Sequence, residues 1–540
     1  MQKAFKLIMV LSLIVCIAVP AIAQNKGAKT ITAKELETHL TFIASDELMG
    51  RNTPSPGLKA AARYLATFVE SYGFKPMMPD GSFLQKIPLT ISSVDEKQSK
   101  LTVSSSLGDK IYNFPEAFGG RFSSNGNFSG DVIFLGYGLS SPDNGWDDYE
   151  GIDVTGKIVV ILDGQLPDDH VLRSRENRRV ISGRTSAPRV NGAAGLLRVI
   201  TPEREQGMAE NGSDFGNSER ASMVQERSQE ESDQRPQMPA RPVLQPFFTA
   251  EIRHDVAMAI LGVGKDKLAN MFNSISMGMQ VPPQEIDGVS VSAKIITKTT
   301  TGETQNVVAM LEGSDSKLKD EYVFFGAHYD HMGVRNGVVY NGADDDGSGT
   351  VSLLELAQAF SVERPKRSVV IVWHTGEEKG LWGADYFSSH CPVPLENVSA
   401  QINMDMISRN EPNEIFIIGT DRLSLDLDKS VKDMNNKHVK MTLNEKFNAP
   451  DDPNRYYSRS DHYMYARYGV PVVFLFCDVT EDYHRPTDTI EKCDFDKAAK
   501  VTKLAYYVGY DVGNKKELLP LNADPNITER GKLYQQSRRR

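Results

Sequence analysis

Between residues 300 and 512, six short apolar segments alternate with stretches of helical periodicity. The segments are VVAML, YVFFGA, SVVIVWH, VSAQINMD, EIFIIG and GVPVVFLF. Strands that alternate with helices in this way form a mostly parallel sheet with helices on both faces. The pattern therefore predicts an α/β fold with a mostly parallel mixed sheet, and it places any ligand site at the carboxyl ends of the strands.

One loop in this region is unusually rich in metal-binding residue types. The stretch from His328 to Asp346 holds two histidines and four aspartates within 19 residues. His328 and Asp330 alternate, so on a strand they would point to the same side. Three adjacent carboxylates, Asp344 to Asp346, repel each other unless a cation or backbone N–H groups hold them. A solvated acidic turn is the alternative interpretation of this stretch taken alone.

Further polar pieces lie near the ends of other predicted strands. Residues 375–378 and 482–484 follow strands, residues 403–405 end one, and residues 460–462 come shortly before the last strand. Taken together, they offer five nitrogen and oxygen donors and no thiolate: His328, Asp345, Glu378, Asp405 and His484. Five donors are too many for one tetrahedral zinc but suit two ions that share a carboxylate. Glu377 stands next to a donor and is itself surplus, which suits the general base of a hydrolytic reaction.

These pieces resemble the M28 family of metallopeptidases, which includes zinc aminopeptidases and some carboxypeptidases. The resemblance covers residues 300–512 and the opening IASDELMGR at 43–51. It rests on six pieces in the expected order: HYDHMG (328–333), NGADDDGSG (341–349), TGEEKGLWGADYF (375–387), INMD (402–405), RSDHY (459–463) and DYHRPTDT (482–489).

The resemblance implies two zinc ions per chain and a role for each motif residue. Asp345 would bridge the ions, and its bond to Asp346 would be a cis peptide. His328 and Asp405 would each serve a single ion, one at each site, with Glu378 and His484 completing the two sites. Asp330 would orient His328 from behind. Glu377 would be the base and proton shuttle. His331 and His462 are expected to be supporting or surface histidines.

The middle of the chain resembles a protease-associated domain, inserted into the peptidase sequence. The likeness rests on Gly136-Tyr137-Gly138, the stretch 147–160 and residues 192–195. Residues 201–242 are polar with almost no large apolar side chains, which predicts a disordered or mobile loop. The predicted organisation is a signal peptide (1–23), an N-terminal part of the peptidase domain (24–115), the insert (116–295), the rest of the peptidase domain (296–513) and a polar tail (514–540).

The first 23 residues have the pattern of a secretory signal peptide, with Lys3 and Lys6 before an apolar run and a small-residue site at 21–23. We therefore expect a mature start at Gln24 and a periplasmic or extracellular protein without a membrane anchor. Removal of the two lysines lowers the formal net charge from −10 to −12, which disfavours nucleic acid and anionic membranes as partners. Cys391, Cys477 and Cys493 would remain, too few for a disulfide framework.

The expected function is release of N-terminal residues from peptide substrates. Three alternatives stay open at this point. A carboxypeptidase or dipeptidase of the same fold would need a cation at the cleft, such as Arg455 or Arg459. A glutaminyl-cyclase-like acyltransferase would work with one zinc. A non-catalytic binding protein would have lost ligands, which this chain keeps. The sequence leaves the side-chain preference, the physiological metal and the oligomeric state undetermined.

Overall fold

A computed structural model describes residues 26–120, 122, 124–174, 177–216, 219–224, 247–335, 337–523 and 526–534. The chain divides into two compact units, Met1–Pro88 with Glu303–Arg540, and Leu89–Gly302. The signal-peptide prediction for residues 1–23 lies outside the described residues. The second unit begins earlier than the predicted insert (116–295) because strands before residue 116 pair with strands inside it.

The strands are numbered in chain order. They are β1 (Lys75–Pro76), β2 (Leu84–Val94), β3 (Lys100–Ser105), β4 (Gly108–Asn113), β5 (Phe118–Gly119), β6 (Gly126–Phe134), β7 (Ser140–Ser141), β8 (Trp146–Asp147), β9 (Ile158–Leu162), β10 (Gly195–Val199), β11 (Arg220–Met223), β12 (Phe248–Ile252), β13 (Gln284–Ile295), β14 (Thr297–Leu311), β15 (Tyr322–His328), β16 (Gly333–Arg335), β17 (Val338–Tyr340), β18 (Ser368–His374), β19 (Val398–Met404), β20 (Glu414–Ile418), β21 (Thr442–Asn444) and β22 (Val472–Phe476).

The α-helices are α1 (Ala33–Ile43), α2 (Pro56–Ser71), α3 (Arg178–Gly183), α4 (Ala187–Val190), α5 (Pro202–Glu210), α6 (His254–Leu261), α7 (Lys265–Ser276), α8 (Gly349–Val362), α9 (Trp382–Ser389), α10 (Leu425–Met434), α11 (His462–Ala466) and α12 (Phe495–Asn514). Three single turns carry residues of the site or of its surroundings: Asp46–Arg51, Ala343–Ser348 and Glu377–Lys379. No helix among the described residues combines the length and the hydropathy needed to cross a bilayer.

The sheet of the first unit runs in the order β14-β18-β15-β19-β22-β20-β21. The central strands β18, β15, β19 and β22 are parallel, whereas β14 is antiparallel to β18 and β20 is antiparallel to β22. Strand β21 pairs with β20 in parallel. Every residue of β15, β18 and β19 is buried, as expected for parallel strands with both faces covered. The predicted α/β fold with a mixed sheet is therefore confirmed, and the six apolar segments are β14, β15, β18, β19, β20 and β22.

The second unit contains an eight-stranded sheet in the order β4-β3-β13-β6-β9-β10-β12-β5. Strands β6, β9, β10 and β12 pair in parallel, and the others pair antiparallel. This unit has its own buried apolar clusters, separate from the cluster that surrounds the sheet of the first unit. The middle of the chain is therefore rich in β-structure, as predicted, while its assignment to the protease-associated class remains a prediction.

The prediction of a disordered loop over 201–242 is wrong for the parts that the structure describes. Helix α5 begins after Thr201, whose side chain accepts a hydrogen bond from the Arg204 N–H, and Pro202 occupies its first turn. Glu205 of this helix forms an ion pair with Arg253 at 2.9 Å, and Met208 is buried. A capped start and contacts that are distant in sequence order a helix whose composition gives little sign of it. Residues 225–242 lie outside the described residues.

Candidate metal centre

The predicted site residues lie at the carboxyl ends of the parallel strands. His328 is the last residue of β15, and Asp405 directly follows β19. Glu377 and Glu378 follow β18 in the next turn, and His484 comes from the loop after β22. Strands that run in parallel bring these ends to one edge of the sheet, although the residues are far apart in sequence.

Two corners of the site meet at Asp345. At the first corner, His328 Nε2 lies 3.3 Å from Asp345 Oδ1 and 3.5 Å from Asp405 Oδ1. At the second corner, His484 Nε2 lies 3.3 Å from Asp345 Oδ2 and 3.1 Å from Glu378 Oε2. The five predicted donors are therefore together, with one oxygen of Asp345 directed to each corner.

This arrangement corrects one detail of the sequence analysis. His328 and Asp405 were expected at different ions, one at each site. They instead share the first corner, since their donor atoms are 3.5 Å apart, while Glu378 and His484 share the second. The division follows from the strand order: β15 and β19 are adjacent, so the residues at their ends are neighbours.

Each of the three adjacent aspartates has a different set of partners. Asp344 accepts hydrogen bonds from the N–H and the hydroxyl of Ser408. The Asp346 carboxylate accepts from the N–H groups of His328, Gly349 and Met406 at 3.0–3.1 Å. Asp346 also lies near the first corner, but its oxygens are occupied by these backbone donors. Asp345 alone directs its carboxylate at both imidazoles.

The turn that carries the aspartates is held from the far end of the chain. The Asp488 carboxylate accepts hydrogen bonds from the N–H groups of Asp344 and Asp345 at 3.1 Å. The peptide bond between Asp345 and Asp346 is cis, as the family resemblance implies.

Asp330 supports His328 in a different way from the one expected. His328 Nδ1 lies 3.1 Å from the backbone oxygen of Asp330, while the nearest carboxylate oxygen is 3.8 Å away. The carboxylate instead accepts a hydrogen bond from the Glu377 N–H at 3.1 Å. Asp330 therefore touches both the imidazole and the candidate base, the first through its main chain and the second through its side chain.

Glu377 lies at the first corner without being one of its closest donors. Its Oε2 atom is 4.0 Å from His328 Nε2, and its side chain lines the cavity that borders His328, Asp345 and Asp405. Burial raises the pKa of Glu377 well above its ordinary value, and the negative charges of Asp405 and Glu378 add to the shift against the opposing effect of His328. A buried carboxylate with a raised pKa suits proton transfer near neutral pH.

The second-corner carboxylates have lowered pKa values despite their burial. Burial alone would raise the pKa of Asp345, but the imidazoles of His331, His328 and His484 hold it far below its usual range. Burial and Asp345 would likewise raise the pKa of Glu378, which contacts with His331 and His484 lower to about 2. The site thus keeps these two carboxylates ionised as long as positive charge is close.

The donor set fits a divalent cation at each corner. Asp345 Oδ2 and Glu378 Oε1 are buried without a hydrogen-bond partner, and buried charged oxygens of this kind require compensating positive charge. Two donors on a tetrahedral zinc at about 2.0–2.1 Å would lie about 3.3 Å apart. The donor separations of 3.1–3.5 Å within each corner match this spacing. Imidazole and carboxylate donors suit zinc and other first-row divalent ions.

The sequence analysis expected His331 to be a supporting or surface histidine and did not predict how close it lies to the second corner. Its ring is fully buried, and its Nδ1 lies 3.0 Å from Glu378 Oε1 and 3.8 Å from Asp345 Oδ2. It therefore belongs to the second corner and is not a surface residue. His462 is also buried, stacked on Phe474 at 4.7 Å between ring centroids.

A cavity beside the first corner has a largely apolar wall, formed by Met406, Tyr456, Phe474, Phe476, Val479 and Tyr483. Arg459 lines the same cavity, with its guanidinium 5.0 Å from the centre of the Tyr456 ring and 3.5 Å from the Tyr483 hydroxyl. Arg455 and Arg485 are exposed. Of the two arginines named from the sequence, Arg455 and Arg459, the second is thus the one that lines the cavity.

Curated proteins are similar to part of this chain. A probable leucine aminopeptidase of Trichophyton verrucosum (strain HKI 0517) is 28% identical over 213 residues, which is 37% of this chain and 55% of that protein. A probable zinc metalloprotease of Pyrenophora teres f. teres (strain 0-1) is 37% identical over 112 residues, 20% of this chain and 23% of that protein. The chain spans about half the length, or less, of these relatives.

Solved structures resemble the fold over most of the chain. The aminopeptidase from Aneurinibacillus sp. strain AM-1 aligns with a TM-score of 0.50 at 16% identity, covering 93% of this chain and 98% of that one. The zinc aminopeptidase from Bacillus subtilis aligns with a TM-score of 0.51 at 16% identity, covering 90% and 96%. At this identity the likeness concerns the fold.

The family comparison addresses the site itself. The model of peptidase family M28 matches residues 306–509, a range that contains the ends of β15, β18, β19 and β22 and all five candidate donors. Through these residues, the chain is similar to peptidase family M28.

Proposed function

We propose that this protein is an exported di-zinc metallopeptidase that removes N-terminal residues from peptides. The observation that supports the proposal most directly is the placement of Asp345 between two imidazole–carboxylate corners. The family match and the names of the relatives, a probable leucine aminopeptidase and a probable zinc metalloprotease, point to the same chemistry. Export rests on the signal-peptide pattern of residues 1–23.

In the proposed reaction, His328 and Asp405 would hold one zinc ion. Glu378 and His484 would hold the other, and Asp345 would contact both ions. Two zinc ions at such a site polarise the scissile carbonyl and make an attacking water more acidic. Glu377 takes the proton of that water and returns it to the nitrogen of the leaving amine. The Glu377 N–H bond to Asp330 fixes the main chain of the base while its carboxylate moves the proton.

The cavity supports a preference for apolar side chains at the substrate's N-terminus. Met406, Phe474, Phe476 and Val479 form an apolar wall next to His328 and Asp405. A leucine or phenylalanine side chain would bury its surface there, with a gain of about 1.5–3 kcal/mol over a side chain left in water. An acidic side chain against these four residues would lose hydration, which contact with Arg459 in the same cavity would have to offset.

The experiment compares leucyl, phenylalanyl, lysyl and glutamyl anilides, each with a free and with an acetylated amine, with and without a chelator. We expect cleavage of the free leucyl and phenylalanyl compounds only, and loss of activity on chelation that added zinc restores. Equal turnover of the acetylated compounds would refute the aminopeptidase assignment. Turnover that survives complete metal removal would refute the metallopeptidase assignment.

Arg459 favours a second candidate, a dipeptidase or carboxypeptidase of the same fold. Its guanidinium lines the cavity and could pair with a substrate carboxylate. Faster cleavage of Leu-Leu than of its C-terminal amide, with loss of that difference in Arg459→Ala, would support the dipeptidase or carboxypeptidase assignment. We expect Arg459→Ala to change the turnover of both by a similar factor, because the exposed guanidinium is engaged with Tyr456 and Tyr483.

A further inference from the structure

His331 is the one histidine at the candidate metal centre to which the five-donor scheme gives no role. Its side chain is fully buried, and its Nδ1 approaches Glu378 Oε1 to 3.0 Å and Asp345 Oδ2 to 3.8 Å. The three side chains can place one donor atom each within 4.8 Å of one another. His331 is therefore as close to the second corner as the donors already assigned to it.

The short contact with Glu378 is not a hydrogen bond. The two atoms are 3.0 Å apart, yet His331 Nδ1, His331 Nε2 and Glu378 Oε1 are all buried without a hydrogen-bond partner. Leaving buried polar atoms unpaired costs about 1–3 kcal/mol each. Donor atoms that approach each other closely without bonding are typical of a shell around a cation, where all of them point at a common centre.

The surroundings hold the ring in this position. The Gly342 backbone adopts φ +58°, and a Cβ atom there would lie 2.4 Å from His331 Cγ, so only glycine leaves room for the imidazole. The His331 N–H donates to the backbone oxygen of Arg51 at 3.2 Å, while the Arg51 guanidinium donates to the Gly342 oxygen at 2.9 Å. Arg51 thus holds the main chain of His331 and of Gly342, and the missing side chain of Gly342 leaves the space that the ring occupies.

We infer that His331 is a fourth protein side chain that binds the ion of the second corner, together with Glu378, His484 and the shared Asp345. The inference rests on the proposed di-zinc function and deepens it. The second corner would then offer two imidazoles and two carboxylates, against one imidazole and two carboxylates at the first. Because the second corner would then offer one donor more than the first, it should retain its ion under conditions that remove the ion of the first corner.

The test measures zinc affinity by chelator competition on the full-length protein, for the parent and for His331→Ala. We expect His331→Ala to weaken the tighter of the two zinc-binding steps by more than about 100-fold, since 10–100-fold is the range for a residue that only supports a ligand. A loss of less than about 100-fold would overturn the inference. His462→Ala is the matched control, because it also removes a fully buried imidazole, and both zinc affinities should remain unchanged in it.

A second measurement needs no variant and covers the case in which His331→Ala does not fold. X-ray absorption at the zinc edge of the fully loaded parent counts the imidazoles bound per zinc. Three imidazoles shared by two ions would support the inference, and two would overturn it. The parent's own zinc stoichiometry and its cleavage of leucyl anilide report on the proposed function separately. A parent that binds fewer than two zinc ions would refute that function and the inference together.

Discussion

Three adjacent aspartates, Asp344 to Asp346, have the same side chain but different contacts. The residues around each carboxylate determine what it can bind. Backbone and hydroxyl donors occupy the carboxylates of Asp344 and Asp346, and only Asp345 is free to face the imidazoles. A carboxylate saturated by N–H donors has little capacity left for a metal. The position of each aspartate relative to β15, β19 and Ser408, and not its chemistry, therefore determines which of them can bridge two ions.

Substitutions of the two adjacent glutamates, Glu377 and Glu378, should have different effects on turnover and on zinc content. Glu377→Gln removes the proposed base and should lower kcat by about 100- to 10,000-fold, with both zinc ions retained. Glu378→Gln replaces a donor of the second corner and should reduce the zinc content. Kinetics with leucyl anilide and zinc analysis after gel filtration measure the two effects. Loss of zinc in Glu377→Gln would mean that the two roles are reversed.

Glu355 of α8 provides a pH-dependent prediction away from the site. It is fully buried, and burial, with a smaller contribution from Glu35, raises its pKa to about 8. The folded state therefore binds this proton more tightly than the unfolded state, whose glutamate has a pKa of about 4.3. Its contribution to stability is fully present below about pH 4 and is lost as the pH rises towards 8.

Glu355→Gln should remove this dependence. The glutamine oxygen can still accept the hydrogen bond from the Thr32 N–H. Its melting temperature should exceed that of the parent at pH 8–9 and converge with it near pH 5, which corresponds to a difference of about 1–3 kcal/mol. Thermal unfolding across this pH range measures the gap. The exposed Glu70→Gln is the control, and an equal gap at every pH would contradict the assignment.

At the residue scale, the five donors and the candidate base could be predicted because their motifs are local in sequence. The burial of His331 could not, since it depends on Gly342 and Arg51, which meet it only in the folded chain. The pairing of His328 with Asp405 follows from strand adjacency, which the motif order alone does not contain.

At the element scale, Arg51 connects the turn Asp46–Arg51 to the loop between β15 and α8. Its buried guanidinium donates to the backbone oxygens of Ile43, Tyr329, Asn341 and Gly342. These carbonyls belong to the end of α1 and to the segment that carries His331. One side chain thus sets the position of that loop relative to the helix.

Arg51→Met should destabilise the protein by more than about 3 kcal/mol, because it leaves four carbonyls without their donor. Denaturant unfolding of the zinc-loaded protein measures the change. The control is Arg63→Met on the exposed face of α2, for which a change within about 0.5 kcal/mol is expected. A similar small effect at both positions would show that other donors replace the guanidinium.

The strands of the first unit could be predicted because buried parallel strands appear as continuous apolar runs. The three-residue strand β21 has too short a pattern to be recognised, and it depends on pairing with β20. Helix α5 was not predicted from the sequence, for a different reason. Its sequence is polar, and its order comes from the Thr201 cap and from the ion pair between Glu205 and Arg253.

At the scale of the whole molecule, the two units have separate apolar clusters, and all candidate metal donors lie in the first unit. We therefore expect two calorimetric transitions in the zinc-loaded protein. Zinc at 100 times its dissociation constant stabilises the unit that binds it by about 2.7 kcal/mol. Chelation should lower one transition by several degrees and leave the other in place. An equal shift of both would show that the units unfold together.

The boundary of the second unit was the least predictable feature at this scale. Strands β3 and β13 are distant in sequence and pair directly, so the second unit includes residues that precede the predicted start of the insert. Local composition changes gradually there and gives no sign of that pairing. The alternation of strands and helices, in contrast, was sufficient to predict the architecture of the first unit.

The hydrogen bonds from the N–H groups of Asp344 and Asp345 to the Asp488 carboxylate bear on the order in which the site forms during synthesis. During synthesis, Asp405 is the last candidate donor of the first corner to be made, whereas His484 and Asp488 emerge from the ribosome about eighty residues later. Until Asp488 has been made, the turn that carries Asp345, which faces both corners, lacks the carboxylate that accepts its N–H groups. A premature stop anywhere in that interval would leave a polypeptide with most of its sheet strands present and its second cation position incomplete.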